Sequence, residues 1–287
     1  MTVIILGGSG FLGRTLLNQL NQEKISFKVM QHKIKINEKN QFSGDITKEK
    51  FLENHISDND TIINLVGQEG ENVFDLNVKG AFNLLNSTIK KKNIRIIFAS
   101  STIVYGNNSG RKFNELDTPK PVTNYGIIKL LAENVYSMYA QLFVQNITIL
   151  RFSNIYGTGK KIGIISNSIK AITEGKPMTI THKGKQIHDF LFIDDAVQAI
   201  IQVIKKPIKK IEIFNISSGT GIEINQILQK IEKFSNKKLI KIFDEQLIEQ
   251  ENRIVDNQKA RKILDFSPNV NIDTGIKKII ENKNKIK

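Results

Sequence analysis

The first thirteen residues, Met-Thr-Val-Ile-Ile-Leu-Gly-Gly-Ser-Gly-Phe-Leu-Gly, constrain the fold more than any other stretch of the chain. Thr2 to Leu6 is a β-branched apolar run, the pattern of a strand buried on both faces. Glycines follow at once, and Phe11, Leu12, Leu16, Leu17 and Leu20 then recur at helical spacing. Strand, glycine turn and helix are the context in which a glycine pattern predicts a dinucleotide site. The glycines serve a tight turn, a close approach of backbone to pyrophosphate, and close helix–strand packing. The helix N-terminus offers unpaired N–H groups and partial positive charge to the phosphates. Two registers fit, Gly8-Gly10-Gly13 as G-x-G-x-x-G and Gly7-Gly10-Gly13 as G-x-x-G-x-x-G. Outside that context the same glycines would only open an ordinary α/β domain.

The pattern then alternates. Phe27–Met30, Asp60–Val66, Ile94–Ala99 and Asn146–Arg151 read as strands, with helices over Lys48–Asn54, Phe74–Lys90 and from Asn124, which is placed to cap the last. Strands alternating with helices predict an α/β fold, a doubly wound parallel Rossmann sheet. After Gly157-Thr158-Gly159 the pattern is mixed, with a helix over Ile164–Thr173 and a strand near Met178–Thr181. Asp189–Ile193 and the helix from Asp194 are expected to return to the main sheet. The expected division is a dinucleotide-binding unit, 1–156 plus about 187–206, and a smaller interleaved substrate-binding α/β unit, about 157–186 plus 207–287. Pro207 to Lys210 is the nearest thing to a linker.

Bulk properties narrow the function. The 287 residues hold no cysteine, so there are no disulfides, thiolate nucleophiles or thiolate metal sites, as suits a cytoplasmic protein. No run approaches the ~20 apolar residues of a membrane span. Met1 leads straight into the first strand, so no signal peptide is expected. Net charge is +14, but arginine stands only at positions 14, 95, 111, 151, 253 and 261. The excess is dispersed lysine without stacking aromatics, so neither nucleic acid nor membrane is an expected partner. No metal is expected.

At the end of the second strand, NAD-binding versions of this fold carry a carboxylate for the ribose hydroxyls. Gln31, followed by His32 and Lys33, stands there instead. An amide with two potential cations suits a 2′-phosphate better, so the expected cofactor is NAD(P) with NADP slightly favoured. Tyr125 and Lys129 lie one helical turn apart on one face. A tyrosine of pKa about 10 is a poor base at neutral pH, and a neighbouring ammonium stabilises its phenolate. Tyr125 could then exchange the proton of a substrate hydroxyl while hydride moves. Ser101, at the end of a sheet strand, could hydrogen-bond the same oxygen.

With these neighbours the chain resembles the extended short-chain dehydrogenase/reductases, in particular the nucleotide-sugar epimerase/dehydratase group. Gly7, Gly10, Phe11, Leu12 and Gly13 resemble its cofactor turn, and Asp45 with Ile46 its adenine contact. Asn64-Leu65-Val66-Gly67 stands where the family has His-Leu-Ala-Ala, and Asn77-Val78-Lys79-Gly80 resembles Asn-x-x-Gly. Ser100-Ser101-Thr102-Ile103-Val104-Tyr105-Gly106 is similar to Ser-Ser-x-x-Val-Tyr-Gly, and Tyr125 with Lys129 to Tyr-x-x-x-Lys. Arg151 through Asn154 to Gly157, His188-Asp189-Phe190, and Arg253 to Asp256 resemble later motifs. The resemblance implies catalysis by Ser101, Tyr125 and Lys129, and a nucleotide-diphosphate sugar bound by Thr102, Asn154, His188 and Arg253. It also implies a homodimer through the helices around Phe74–Lys90 and Asn124–Phe143, and surface-polysaccharide biosynthesis as the setting.

Departures refine the expectation. Thr102-Ile103 replaces the Asp-Glu of 4,6-dehydratases, and the absent cysteine disfavours 3,5-epimerising reductases. His188 replaces an arginine on the diphosphate. A 4-epimerase and a 4-ketoreductase remain. Two other readings stand beside them: a non-catalytic NAD(P)-binding regulatory or assembly protein, and a reductase of a non-nucleotide small molecule, against which Asn154 and Arg253 argue.

Overall fold

The opening run forms β1 (Val3–Leu6), buried at every residue, and α1 (Phe11–Gln22) follows from the glycine turn. The computed structural model describes residues 1–32, 40–67, 70–107, 111–143, 145–206, 208, 210–244 and 252–285. The chain continues through β2 (Phe27–Gln31), β3 (Gln41–Ser43), β4 (Thr61–Asn64), α2 (Gly80–Thr88) and β5 (Arg95–Ser101). Next come α3 (Asn124–Phe143), β6 (Asn146–Phe152), β7 (Asn154–Tyr156), α4 (Ile164–Glu174) and β8 (Met178–Ile180). Then follow β9 (Ile187–Phe192), α5 (Ile193–Lys205), β10 (Ile211–Ile216), β11 (Gly221–Glu223) and α6 (Ile224–Ser235). The last elements are β12 (Lys241–Phe243), α7 (Gln258–Leu264) and α8 (Ile272–Lys285).

The main sheet has seven parallel strands in the order β10-β6-β5-β4-β1-β2-β3. Order reverses beside β1, the topological switch point at which such sheets take ligands. One face is covered by Leu16 and Leu20 of α1 with Val197 and Ile200 of α5. The other is covered by Leu84 and Leu85 of α2 with Ala132 and Tyr136 of α3. Burial on both faces is why these strands are continuous apolar runs. Pairing of Leu6 with Asn64 and of Ser101 with Phe152 brings the carboxyl ends to one edge. Gly7, Leu65, Thr102 and Asn154 all follow from that edge.

Several expectations are corrected. Lys48–Asn54 forms successive turns rather than a helix, broken where Lys50 takes φ +58°. Phe74–Lys90 is interrupted: Asp75–Lys79 is a wide π turn before α2 begins, which puts Asn77 fully inside. Thr123 rather than Asn124 caps α3, accepting the Gly126 N–H at 3.1 Å. β9 does not join the main sheet but stands in a separate sheet of order β11-β9-β7. β10, assigned by sequence to the substrate-binding unit, closes the main sheet beside β6. No helix among the described residues is long and apolar enough to cross a membrane, and these residues hold no metal-binding cluster of His, Asp and Glu.

Candidate active site

Crowding around the Gly7 carbonyl sets the cofactor-side geometry. Gly7 turns with φ +85°, and its carbonyl accepts the Gly10 N–H at 3.1 Å. A Cβ on Gly13 would sit 2.4 Å from that carbonyl and 2.7 Å from the Gly8 backbone. Gly7, Gly10 and Gly13 therefore act as one unit, while Gly8 packs on Val29, where a Cβ would come within 2.5 Å of its side chain. Gly10 caps α1 with no side-chain bond, and the first turn carries no acidic residue. Its N–H groups thus face the sheet edge in the form that binds phosphate. Phe11 begins this helix and lies against the Gly157 turn, with Lys160 Nζ 5.1 Å from its ring centre. Leu12 is half-buried between two apolar clusters.

The rest of the cradle is built from β2 and β4. Gln31 ends β2, and its side-chain Oε1 is buried without a partner among the described residues. His32 is exposed beside it, and Lys33 lies outside the described residues. Burial alone would raise the Asp45 carboxyl, but two hydrogen bonds from Thr47 outweigh it and hold it below its usual value. Ile46 is buried, and its carbonyl accepts from Asn83 at 3.0 Å. After β4, Leu65 continues the parallel pairing, and the Val66 N–H reaches the Asn64 side chain at 3.0 Å. Gly67 has φ +110°, and a Cβ there would sit 2.0 Å from Asn77 Oδ1. That Oδ1 is itself buried and without a partner among the described residues. An uncapped helix N-terminus, glycines against backbone, and orphaned acceptors at Gln31 and Asn77 fit a bound dinucleotide.

Ser101, the last residue of β5, caps the short turn Thr102–Tyr105 and accepts the Ile103 N–H at 3.3 Å. This leaves its hydroxyl proton to donate. Thr102 is buried in that turn. A Cβ on Gly126 would stand 2.9 Å from Pro121 Cβ and 3.1 Å from the Ile103 carbonyl, so α3 passes close to the turn that follows Ser101. The Tyr125 hydroxyl donates to the Gly67 carbonyl at 3.3 Å. Lys129 is 3% exposed and donates to the Ala99 carbonyl at 2.9 Å, its Nζ 4.8 Å from the Phe98 ring centre and 5.8 Å from that of Tyr125. Burial pushes the Lys129 ammonium down to about 7, against the pull of the Glu133 charge. Hydroxyl, phenol and ammonium are thus held where β5, β4 and α3 meet.

Beyond this edge stand the remaining predicted residues. Asn154 opens β7, exposed, with its amide donating to the Asp189 carbonyl at 3.1 Å. His188 and Arg253 are backbone partners in a parallel bridge. Arg253 is buried, with Nε donating to the Gly106 carbonyl at 3.4 Å. Burial, and then the Arg253 charge, push the His188 imidazole down to about 4, so it is neutral at pH 7. Its Nδ1 is buried without a partner among the described residues. Asp189 lies on the opposite strand face, its carboxyl raised to about 6 by burial while it accepts from Ser153, Ser218 and Gly219. It braces the loop after β10. Asn77 and Glu133 carry no role expected from the sequence, although Glu133 stands four residues beyond Lys129 and i, i+4 spacing marks it.

A model of the NAD dependent epimerase/dehydratase family matches residues 3–217. A putative UDP-glucose 4-epimerase of Methanocaldococcus jannaschii is 26% identical over 298 residues, covering 97% of each chain. A dTDP-4-dehydro-6-deoxyglucose reductase of Escherichia coli is 28% identical over 306 residues, 97% of this chain and 96% of that one. The solved UDP-glucuronic acid 4-epimerase of Bacillus cereus, in complex with UDP-glucuronic acid and NAD, superposes with a TM-score of 0.89 at 24% identity over the whole of both chains. The strand–glycine–helix cradle and the family match together place the chain in the NAD-dependent epimerase/dehydratase family. Its relatives include nucleotide-sugar epimerases, a reductase and a decarboxylase.

The Lys129 environment predicts a pH effect. The folded-state value near 7 lies below the ordinary 10.5, so the unfolded chain binds the extra proton between them. Urea unfolding of wild type and Lys129→Met should show wild type gaining relative stability from pH 7 to 10, by up to about 1.4 kcal/mol per pH unit. A difference that stays flat across that range contradicts a buried ammonium of lowered proton affinity.

Proposed function

We propose that the protein is an NAD(P)-dependent enzyme acting at C4 of a nucleotide-diphosphate sugar, either as a 4-epimerase or as a 4-ketoreductase. The observation that carries this reading is the Tyr125–Lys129 pair beside Ser101, with the Lys129 ammonium held on the Ala99 carbonyl beneath the phenol. When bound, the nicotinamide supplies the acceptor or donor of hydride. Tyr125 takes or gives the proton of the sugar hydroxyl. Lys129 stabilises the phenolate, and Ser101 donates to the same oxygen and orients it. Arg253 is the anchor for the diphosphate through its fork of donors. Neutral His188 adds a hydrogen bond but no charge, so one ionic contact is lost relative to an arginine. Asn154 and Thr102 complete the substrate contacts.

Gln31 and His32 in place of a carboxylate support NADP over NAD, while the Bacillus cereus relative was solved with NAD. Thr102 and Ile103 offer no acid or base for elimination of water, which supports epimerase or reductase over dehydratase. We retain the two-unit division, with residues 211–216 moved to the cofactor side. Tyr125→Phe should lower turnover of UDP-glucose or UDP-glucuronic acid by about a hundredfold or more and leave cofactor affinity nearly unchanged. Full turnover in that variant would remove Tyr125 from the chemistry. Absence of turnover in the wild type, with cofactor still bound, would favour the regulatory reading.

A homodimer through α2 and α3 is part of the same proposal. Phe82 on α2 and Ile127, Leu131, Met138 and Leu142 on α3 are exposed, Leu142 to 70%. On α3 they recur at helical spacing on one stripe, the pattern of an unpartnered apolar face. Met138→Glu should convert a dimer to a monomer in sedimentation velocity, and a wild-type monomer would contradict the assembly.

A further inference from the structure

Behind the candidate catalytic group runs a buried polar chain for which neither the cofactor nor the substrate residues account. Glu133 lies one turn beyond Lys129 on α3 and is 2% exposed. It accepts from Arg151 Nη2 at 2.6 Å, from Arg151 Nε at 3.0 Å, and from the Ser100 hydroxyl. Arg151, on β6 and also buried, donates through Nη1 to the Tyr105 hydroxyl at 2.8 Å, which donates to Asn215 Oδ1 at 2.8 Å. Asn215 Nδ2 reaches the Asp256 carbonyl at 3.1 Å, and the Phe113 N–H reaches the Ile254 carbonyl at 3.0 Å. The chain therefore runs from the helix of Tyr125 and Lys129 to the segment that carries Arg253. A buried ion pair is often no more stable than apolar residues of the same shape, so stability alone does not explain it.

We propose that the Glu133–Arg151 pair is a positioning unit for the Ser101–Tyr125–Lys129 group. Glu133 favours the charged form of Lys129 across one helical turn, and through Ser100 it fixes the end of β5 from which Ser101 projects. Arg151 holds the Glu133 carboxylate in place with its fork and stops it from collapsing directly onto Lys129. The groups facing Lys129 are Tyr125 and Glu133 on α3 and the Ala99 carbonyl and Phe98 ring on β5, with Arg151 on β6 behind Glu133. Glu133 is the charge that acts on the ammonium. The inference rests on the proposed roles of Tyr125 and Lys129.

The test reads Lys129 directly, without substrate. In protein labelled with [ε-13C]lysine, the Lys129 signal, assigned by its loss in Lys129→Arg, is titrated in wild type, Glu133→Gln and Glu133→Asp. Glu133→Gln should move the titration to lower pH by about one unit or more, and Glu133→Asp, which keeps the charge, should restore most of it. Equal shifts in both variants, or none in Glu133→Gln, would overturn the electrostatic role. Ser100→Ala removes one hydrogen bond and no charge, and it serves where Glu133→Gln fails to fold. It should lower kcat about tenfold with KM nearly unchanged, and an unaltered kcat would overturn the Ser101 half. Turnover lost in Tyr125→Phe with no shift in Glu133→Gln would sink this inference alone. A clear shift with Tyr125→Phe fully active would sink the proposed function instead.

Discussion

A single backbone carbonyl, that of Gly7, governs how the molecule is put together. The first helix passes so near it that only glycine fits at Gly13, and the same carbonyl takes the Gly10 N–H as the chain turns. That close passage places the uncapped start of α1 at the carboxyl edge of the sheet. The parallel register of β1, β4 and β5 then delivers Gly67 and Ser101 to the same edge. A side chain at Gly67 would collide with Asn77, so the opposite wall of the cradle is also set by contact between backbone and a single residue. The site is thus a consequence of close packing at an edge, with few residues free to vary.

Electrostatics is built on that frame in layers. Lys129 is buried among the Ala99 carbonyl, the Phe98 ring and Tyr125, which lowers its proton affinity into the neutral range. Tyr105 is pushed up to about 12 by burial, which keeps its proton in place to bridge Arg151 and Asn215. Burial alone would lower Arg151, but Glu133 holds it above its usual value, so it stays charged. The Lys129 ammonium is therefore tunable, and the scaffold behind it is locked.

The sequence was legible where periodicity or chemistry is local. The β1–α1 unit, the alternation into a parallel sheet, and the Tyr125–Lys129 pair on one helical face were all readable without coordinates. The misses have physical causes. Lys50 enters the left-handed region and breaks the helix expected over Lys48–Asn54. Asp75–Lys79 is a wide turn that carries Asn77 inside against Gly67, a tertiary arrangement that composition does not encode. β9 stands outside the main sheet and β10, expected in the substrate-binding unit, stands within it, because strand patterns carry no partner information. Glu133 is marked by its i, i+4 spacing to Lys129, but a carboxylate on a helix normally faces water, and its burial shows only with the Arg151 fork from a neighbouring strand.

The central claim is that the Gly7–Gly13 edge, with Gln31 and Asn77, holds a dinucleotide on which the rest of the site depends. The most direct measurement is to denature freshly purified protein and identify the released nucleotide by mass spectrometry, followed by titration of the nucleotide-free protein with NADPH and NADH. Retained NAD(H), or an empty protein that binds NADPH more tightly than NADH, is the predicted result; the first favours the epimerase and the second the reductase. Binding of neither nucleotide would contradict the account.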